Sequence, residues 1–159
     1  MKQKFLWLLM ALCAITFAAC GDDDDSPVIP GTDIPVVVNK IQLSQVVGTW
    51  QTSSESSYKV WPDGTKFDFD NDFEPDRIEI KSDRSWAFYD YDSEHASYEL
   101  EAQGMLVLDA NGYIIGNGMY TFTGLTVNGN SMSISYQYPD VEDGRPCVKF
   151  VTTNFTKIA

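Results

Sequence analysis

The chain is 159 residues long, with 23 acidic residues against 11 basic ones and a formal net charge of −12. So acidic a chain, with no stretch that clusters Lys and Arg, cannot hold the phosphate backbone of a nucleic acid by counterion release, which excludes nucleic acid as a partner. The length suits one domain with one real core.

Lys2 and Lys4 precede an apolar run over residues 5–16 that is too short to cross a bilayer as a permanent helix. It reads as a cleaved export signal. The junction Phe17-Ala18-Ala19-Cys20 resembles the lipobox of bacterial lipoproteins, in which small residues before an obligatory cysteine let a peptidase cut and leave a diacylated Cys at the new N-terminus. Gly21-Asp22-Asp23-Asp24-Asp25-Ser26 is similar to the acidic surface-export signal on lipoproteins of one large phylum of anaerobic Gram-negative bacteria. An Asp run alone is most often solvated linker; directly behind the lipobox Cys it reads as an address. The resemblance implies removal of residues 1–19, lipidation of Cys20, and an outer-membrane protein held by acyl chains and facing the cell exterior. Without Lys2 and Lys4, 9 basic residues stand against 23 acids, a charge of −14 that repels anionic head groups, so the acyl anchor alone would hold the membrane.

Residues 20–42 carry Pro27, Pro30 and Pro35 with few large side chains, and are expected to form a tether. At about 3.1 Å per residue in a polyproline-like state, it would hold the domain up to roughly 60 Å from the membrane. Val36-Val37-Val38 either pairs with a sheet edge or belongs to that tether.

Residues 43–159 are strand pattern almost throughout. A helical turn is predicted over 43–47 and a first strand over 46–53. Segments 58–61 and 66–69 form a hairpin across Pro62-Asp63-Gly64, and 77–81 and 85–91 pair through Ser82-Asp83-Arg84. A strand over 96–102 follows, then 105–108 and 113–115 flank Asp109-Ala110-Asn111-Gly112. Strand 119–127 turns through Asn128-Gly129-Asn130 into 131–138, and 147–158 closes the chain. Tyr120 and Phe122 are out of phase with Leu125 and Val127, which demands a bulge at Thr123-Gly124 if all four are to share a face. The last strand has Val148 and Phe150 on one parity and Val151, Thr153 and Phe155 on the other, so it needs a bulge or a two-sided environment.

Leu43-Ser44-Gln45-Val46-Val47-Gly48-Thr49-Trp50 resembles the opening of lipocalin-like proteins, a helical turn followed by Gly-x-Trp at the head of the first strand. The resemblance extends to lipocalin-like lipoproteins of the same bacterial phylum. It implies that Gly48 bends the backbone into a barrel and that Trp50 plugs the closed base. An Arg from the last strand usually stacks on that Trp; here the last strand offers Lys149 and Lys157.

Asp68, Asp70 and Asp72, followed by Glu79, reproduce the carboxylate spacing of a Ca²⁺ loop. Phe73 stands where the tight turn needs Gly, and Pro75 interrupts, so a solvated acidic strand and loop is the stronger reading and no metal or cofactor is expected. Cys13 leaves with the signal and Cys20 is blocked by lipid, which leaves Cys147 unpaired; with His95 the only imidazole, a His/Cys zinc centre is excluded. Cys147 reads as a small core residue of the last strand. Carboxylate pairs are too plentiful to choose among, and neither a Ser-His-Asp set nor a glycine-rich phosphate loop is present. Aromatic residues near turns, Tyr58, Trp61, Phe73, Trp86, Tyr89, Tyr91, Tyr136 and Tyr138, are core or contact residues; Trp61, Trp86, Tyr89 and Tyr136 are the candidate ligand contacts.

The expected fold is all-β, a single small antiparallel lipocalin-like β-barrel of about 8–10 strands with a short N-terminal helical turn. The expected function is non-catalytic binding of a small apolar or amphipathic ligand by a surface lipoprotein. The alternative is an interaction or accessory module, a glycan-handling or outer-membrane complex partner, with a side-chain-filled barrel.

Overall fold

The computed structural model describes residues 40–69 and 74–159. Cys20, Asp22, Asp23, Asp24, Asp25, the 36–38 valines, Asp70 and Asp72 lie outside the described residues.

Leu43-Ser44-Gln45-Val46 winds one turn, α1 (Leu43–Val46), held by a bond from the Gln42 amide to the Gln45 side-chain oxygen at 2.9 Å. Val46 packs into the core, and its carbonyl accepts from Trp50 Nε1 at 2.7 Å. The turn is thus tied to the strand that follows, β1 (Gly48–Val60). Gly48 has φ +139°, and a Cβ there would lie 2.6 Å from both the Ala159 carbonyl and Lys157 Cε, so only glycine fits.

The remaining strands are β2 (Lys66–Phe69), β3 (Arg77–Ile80), β4 (Ser85–Asp92), β5 (Ser97–Met105), β6 (Val107–Leu108), β7 (Ile114–Gly116), β8 (Phe122–Asn128), β9 (Ser131–Glu142) and β10 (Arg145–Lys157). The main sheet is antiparallel in the order β5-β4-β3-β1-β10-β9-β8, with β2 on the upper half of β1 beyond β3. The hairpin β6-β7 is a separate two-stranded sheet, bridged to the start of β8 through Gly116 and Thr121. All-β architecture and antiparallel pairing match the sequence expectation. Closure does not appear: among the described residues no ladder joins edge strand β5 to edge strand β8.

β1 runs well past the predicted end at residue 53. Ser53-Ser54-Glu55-Ser56-Ser57 has a loop-like composition, yet it lies mid-strand, because a bulge at Ser53 restores the register and β10 offers polar partners opposite. Asn154 Nδ2 donates to Ser54 Oγ at 2.9 Å, and Thr153 Oγ1 donates to Glu55 Oε2 at 3.0 Å. The bulge predicted at Thr123-Gly124 is present, since the β8–β9 register shifts between Phe122 and Gly124. β10 pairs with β9 without a shift, so the two-sided environment is its solution: Val148 and Val151 are both buried on opposite parities.

Directly opposed residues share a face of a sheet. Trp50, Ile78, Ile80, Trp86, Leu125, Met132, Ile134 and Phe155 occupy one face and form the core with Leu106, Ile114 and Phe122. The core fills the end of the sheet where Trp50 sits.

Candidate functional site

Followed upward along the same face, the rows change from apolar to polar. Thr52, Phe155, Met132 and Val127 form one row, and Glu55, Thr153, Ile134 and Leu125 the next. Above these come Ser57, Val151, Tyr136 and Phe122, then Lys59, Lys149 and Tyr138, then Cys147 beside Asp140. The continuous β9–β10 ladder makes this possible, because a period-two pattern holds Met132, Ile134, Tyr136, Tyr138 and Asp140 on one face.

Tyr136 and Tyr138 are joined by Tyr120, which leads into β8. The Tyr120 ring lies 4.5 Å from that of Tyr136 and 5.5 Å from that of Tyr138, with Tyr136 and Tyr138 6.3 Å apart. Interplanar angles of 18° to 30° at these separations make the three rings a near-parallel shelf in which they stack on one another. Tyr120 is placed by the preceding turn: Asn117 Oδ1 accepts from the Met119 and Tyr120 amides at 3.0 and 2.8 Å, and the Asn117 carbonyl accepts from Trp86 Nε1 at 2.9 Å. Burial raises all three phenols above the ordinary tyrosine range, Tyr138 to about 12, with the Glu55 charge adding to the rise at Tyr136 and Tyr138 and Glu101 at Tyr120 and Tyr136. They stay neutral at any physiological pH.

Lys59 is buried beside the shelf between Asp140, 3.1 Å away, and Glu142. Desolvation lowers its pKa, but the bonds to Glu142 and Asp140 more than reverse that and hold it charged. A second acidic group stands at the β3–β4 end, where carboxylate oxygens of Glu74, Asp76 and Asp90 lie within 4.8 Å of one another. Asp76 accepts from the Tyr91 amide at 3.0 Å, and desolvation, with Asp90 and Glu74 nearby, pushes its carboxyl up to about 6.

Of the four ligand contacts expected from the sequence, only Tyr136 is on the shelf. Trp86 is 4 % exposed in the core, its ring against Gly104, because β4 pairing puts it opposite Ile80. Tyr89 pairs with Arg77 on the opposite face. Trp61 directly follows β1, with the Arg145 guanidinium 5.6 Å over its ring and its buried Nε1 without a hydrogen-bond partner among the described residues. Asp68 is exposed on β2, paired with Lys66 at 2.8 Å. Cys147 is fully buried, while His95 sits on an exposed turn bonded to Asp92 at 2.7 Å. Tyr120, Glu55 and Glu101 were not singled out as contacts. The phase argument that placed Tyr120 with Phe122, Leu125 and Val127 held the signal for the first, and nothing local marked the two carboxylates.

An open cleft of about 450 Å³ lies at the opposite end, lined by Gly48, Thr49, Glu79, Lys81 and Ala159 among others. It has no aromatic side chain and is not the enclosed apolar cavity that an internal ligand would need. The shelf is the better candidate. No protein-family model, no curated protein and no solved structure matches this chain.

Proposed function

We propose that the chain is an exported, non-catalytic binding module, anchored to the outer membrane through acylated Cys20 and holding a small amphipathic ligand against Tyr120, Tyr136 and Tyr138. The observation that carries this reading is the three-ring shelf at the polar end of a face whose other end is filled by core. A ligand that packs against the partly exposed rings of such a stack gains apolar burial, with polar rows around it to fix its orientation. The lipocalin-like barrel remains part of the proposal: α1 leads into Gly48 and a fully buried Trp50, as that opening implies. The lipobox-like junction supports the anchor.

A second reading, an accessory module that docks on a partner protein, draws on Met105, Val107 and Met119, which are 46 %, 43 % and 57 % exposed near the β6-β7 hairpin. Ligand-observed NMR on purified Cys20→Ala protein, with sugars, amines and short acyl compounds, separates the two. Binding by one class that disappears in Tyr136→Ala/Tyr138→Ala, with melting retained, is the expected result. Binding that survives the double substitution, or none from any class, turns the case toward the docking module.

A further inference from the structure

We infer that Asn128, at the tip of the β8–β9 hairpin, is a site of slow non-enzymatic modification. The Gly129 amide attacks its side chain, ammonia is lost, and the aspartyl or isoaspartyl residue that results loosens the hairpin's hold on the end of β10.

The chain has three Asn-Gly pairs, Asn111-Gly112, Asn117-Gly118 and Asn128-Gly129, all within the described residues. Glycine matters in each, because without a Cβ nothing shields its nitrogen from the preceding side chain. As dipeptides the three are equivalent, and the fold separates them.

Asn111 is exposed, but its turn occupies both reacting groups. The Gly112 amide donates to the Asp109 carbonyl at 3.0 Å, and Asn111 Nδ2 donates to Asp109 Oδ2 at 3.4 Å. The Asp109 carboxylate also opposes loss of a proton from an amide beside it. Asn117 is half-buried and locked. Its Oδ1 accepts from the Met119 and Tyr120 amides and its carbonyl from Trp86 Nε1, and ring closure would have to turn both out of those bonds. Asn128 has no such hold. It pairs with Ser131 across a two-residue turn in which Gly129 stands at φ +59°, and both Asn128 and Gly129 are exposed. Among the described residues neither the Asn128 side chain nor the Gly129 amide has a hydrogen-bonding partner.

The Gly129 nitrogen gives its proton to water and bonds to Asn128 Cγ; the Cγ–Nδ2 bond breaks, and Nδ2 takes up a proton and leaves as ammonia. Water then opens the five-membered imide at either carbonyl. Opening at Cγ leaves aspartate. Opening at the main-chain carbonyl leaves isoaspartate, whose backbone runs through the side chain and is longer by one methylene. The next turn residue, Asn130, accepts from the Lys157 amide at 2.8 Å, so a longer chain at the tip disturbs the bond that holds the end of β10.

The test ages purified full-length Cys20→Ala protein at mildly alkaline pH, native and in urea, and follows each asparagine by peptide-mapping mass spectrometry. The rates in urea give the intrinsic rate of each site. In the native protein Asn111 and Asn117 are expected to fall at least about tenfold further below their urea rates than Asn128 does, because each must first open locally. Gly129→Ala, whose methyl shields the nitrogen and meets no other atom within 4 Å, should slow conversion at Asn128 several-fold. Native suppression at Asn128 as deep as at the other two, earlier conversion at either of them, or an unchanged rate in Gly129→Ala overturns the assignment. Hydrogen exchange at the Lys157 amide should be faster in the isoaspartyl fraction than in fresh protein; equal exchange overturns the effect on β10.

Discussion

Lys157 reaches across the base of the sheet to Trp50: its Nζ is 5.4 Å from the ring centroid and donates to the Val47 carbonyl at 2.9 Å. A lysine of the last strand thus lies over the ring of Trp50. The same contact ties the C-terminal strand to the turn where α1 meets β1, which joins the two ends of the domain.

Trp50→Ala should therefore be among the most damaging single changes, removing about 3–5 kcal/mol from a stability of about 5–15 kcal/mol. Trp86→Ala should cost a similar amount, because its ring is in the same core and Asn117 loses its partner. Trp61→Ala, at a strand end, should cost about 1 kcal/mol. Urea melts of the three variants check the order; a Trp50 variant as stable as the parent removes the lipocalin-like argument.

Gly48 and Gly64 both have positive φ, +139° and +81°, but a Cβ at Gly48 meets backbone and side chain at 2.6 Å while one at Gly64 meets nothing within 4 Å. Gly64→Ala should lose only the backbone preference, about 1 kcal/mol, and Gly48→Ala should lose about 3 kcal/mol as Ala159 and Lys157 are displaced. Matched thermal melts would show the difference.

Asp76 carries a pH signature. Its folded value of about 6 is above the ordinary 3.8, so between those pH values the folded chain binds more protons than the unfolded one, and stability falls as pH rises. The penalty is complete above about pH 6. Asp76→Asn removes it and can still accept from the Tyr91 amide. With solvent screening discounted, the variant should gain about 1 kcal/mol over the parent at pH 7.5 and little at pH 4. A gain that is the same at both pH values would show that charge is not the cause.

Lys59 is held charged by Asp140 and Glu142, so Lys59→Ala leaves two carboxylates facing each other without a cation. The expected loss is about 2–4 kcal/mol, and Asp140→Asn/Glu142→Gln in the same background should recover part of it. Full additivity of the three changes in denaturant melts would mean that the groups are not coupled.

Cys20→Ala should move the protein from the membrane pellet to the soluble fraction. Replacing Asp22, Asp23, Asp24 and Asp25 by Ala should leave it lipidated but hidden from antibody on intact cells. Retention of the Cys20 variant in the pellet, or undiminished surface labelling of the acid-run variant, contradicts the anchor or the address respectively.

Strand identity, the hairpins at Asp63-Gly64 and Asn128-Gly129, the bulge at Thr123-Gly124 and the buried Trp50 were legible in the sequence. Each depends on short-range chemistry: period-two alternation, turn residues with positive φ, and one large apolar side chain beside a glycine. Tertiary pairing decided the rest. It drew Ser53 to Ser57 into a strand against Thr153 and Asn154, where composition alone suggested a loop. It sent Trp86 inward and Tyr89 to the opposite face through their registers with Ile80 and Arg77. It also brought Tyr120 against Tyr136 and Tyr138, with Glu55 in the neighbouring row, from three separate stretches of chain. Which strand edge meets which is set by the summed burial of whole faces, and that sum is not written in any window of sequence short enough to read.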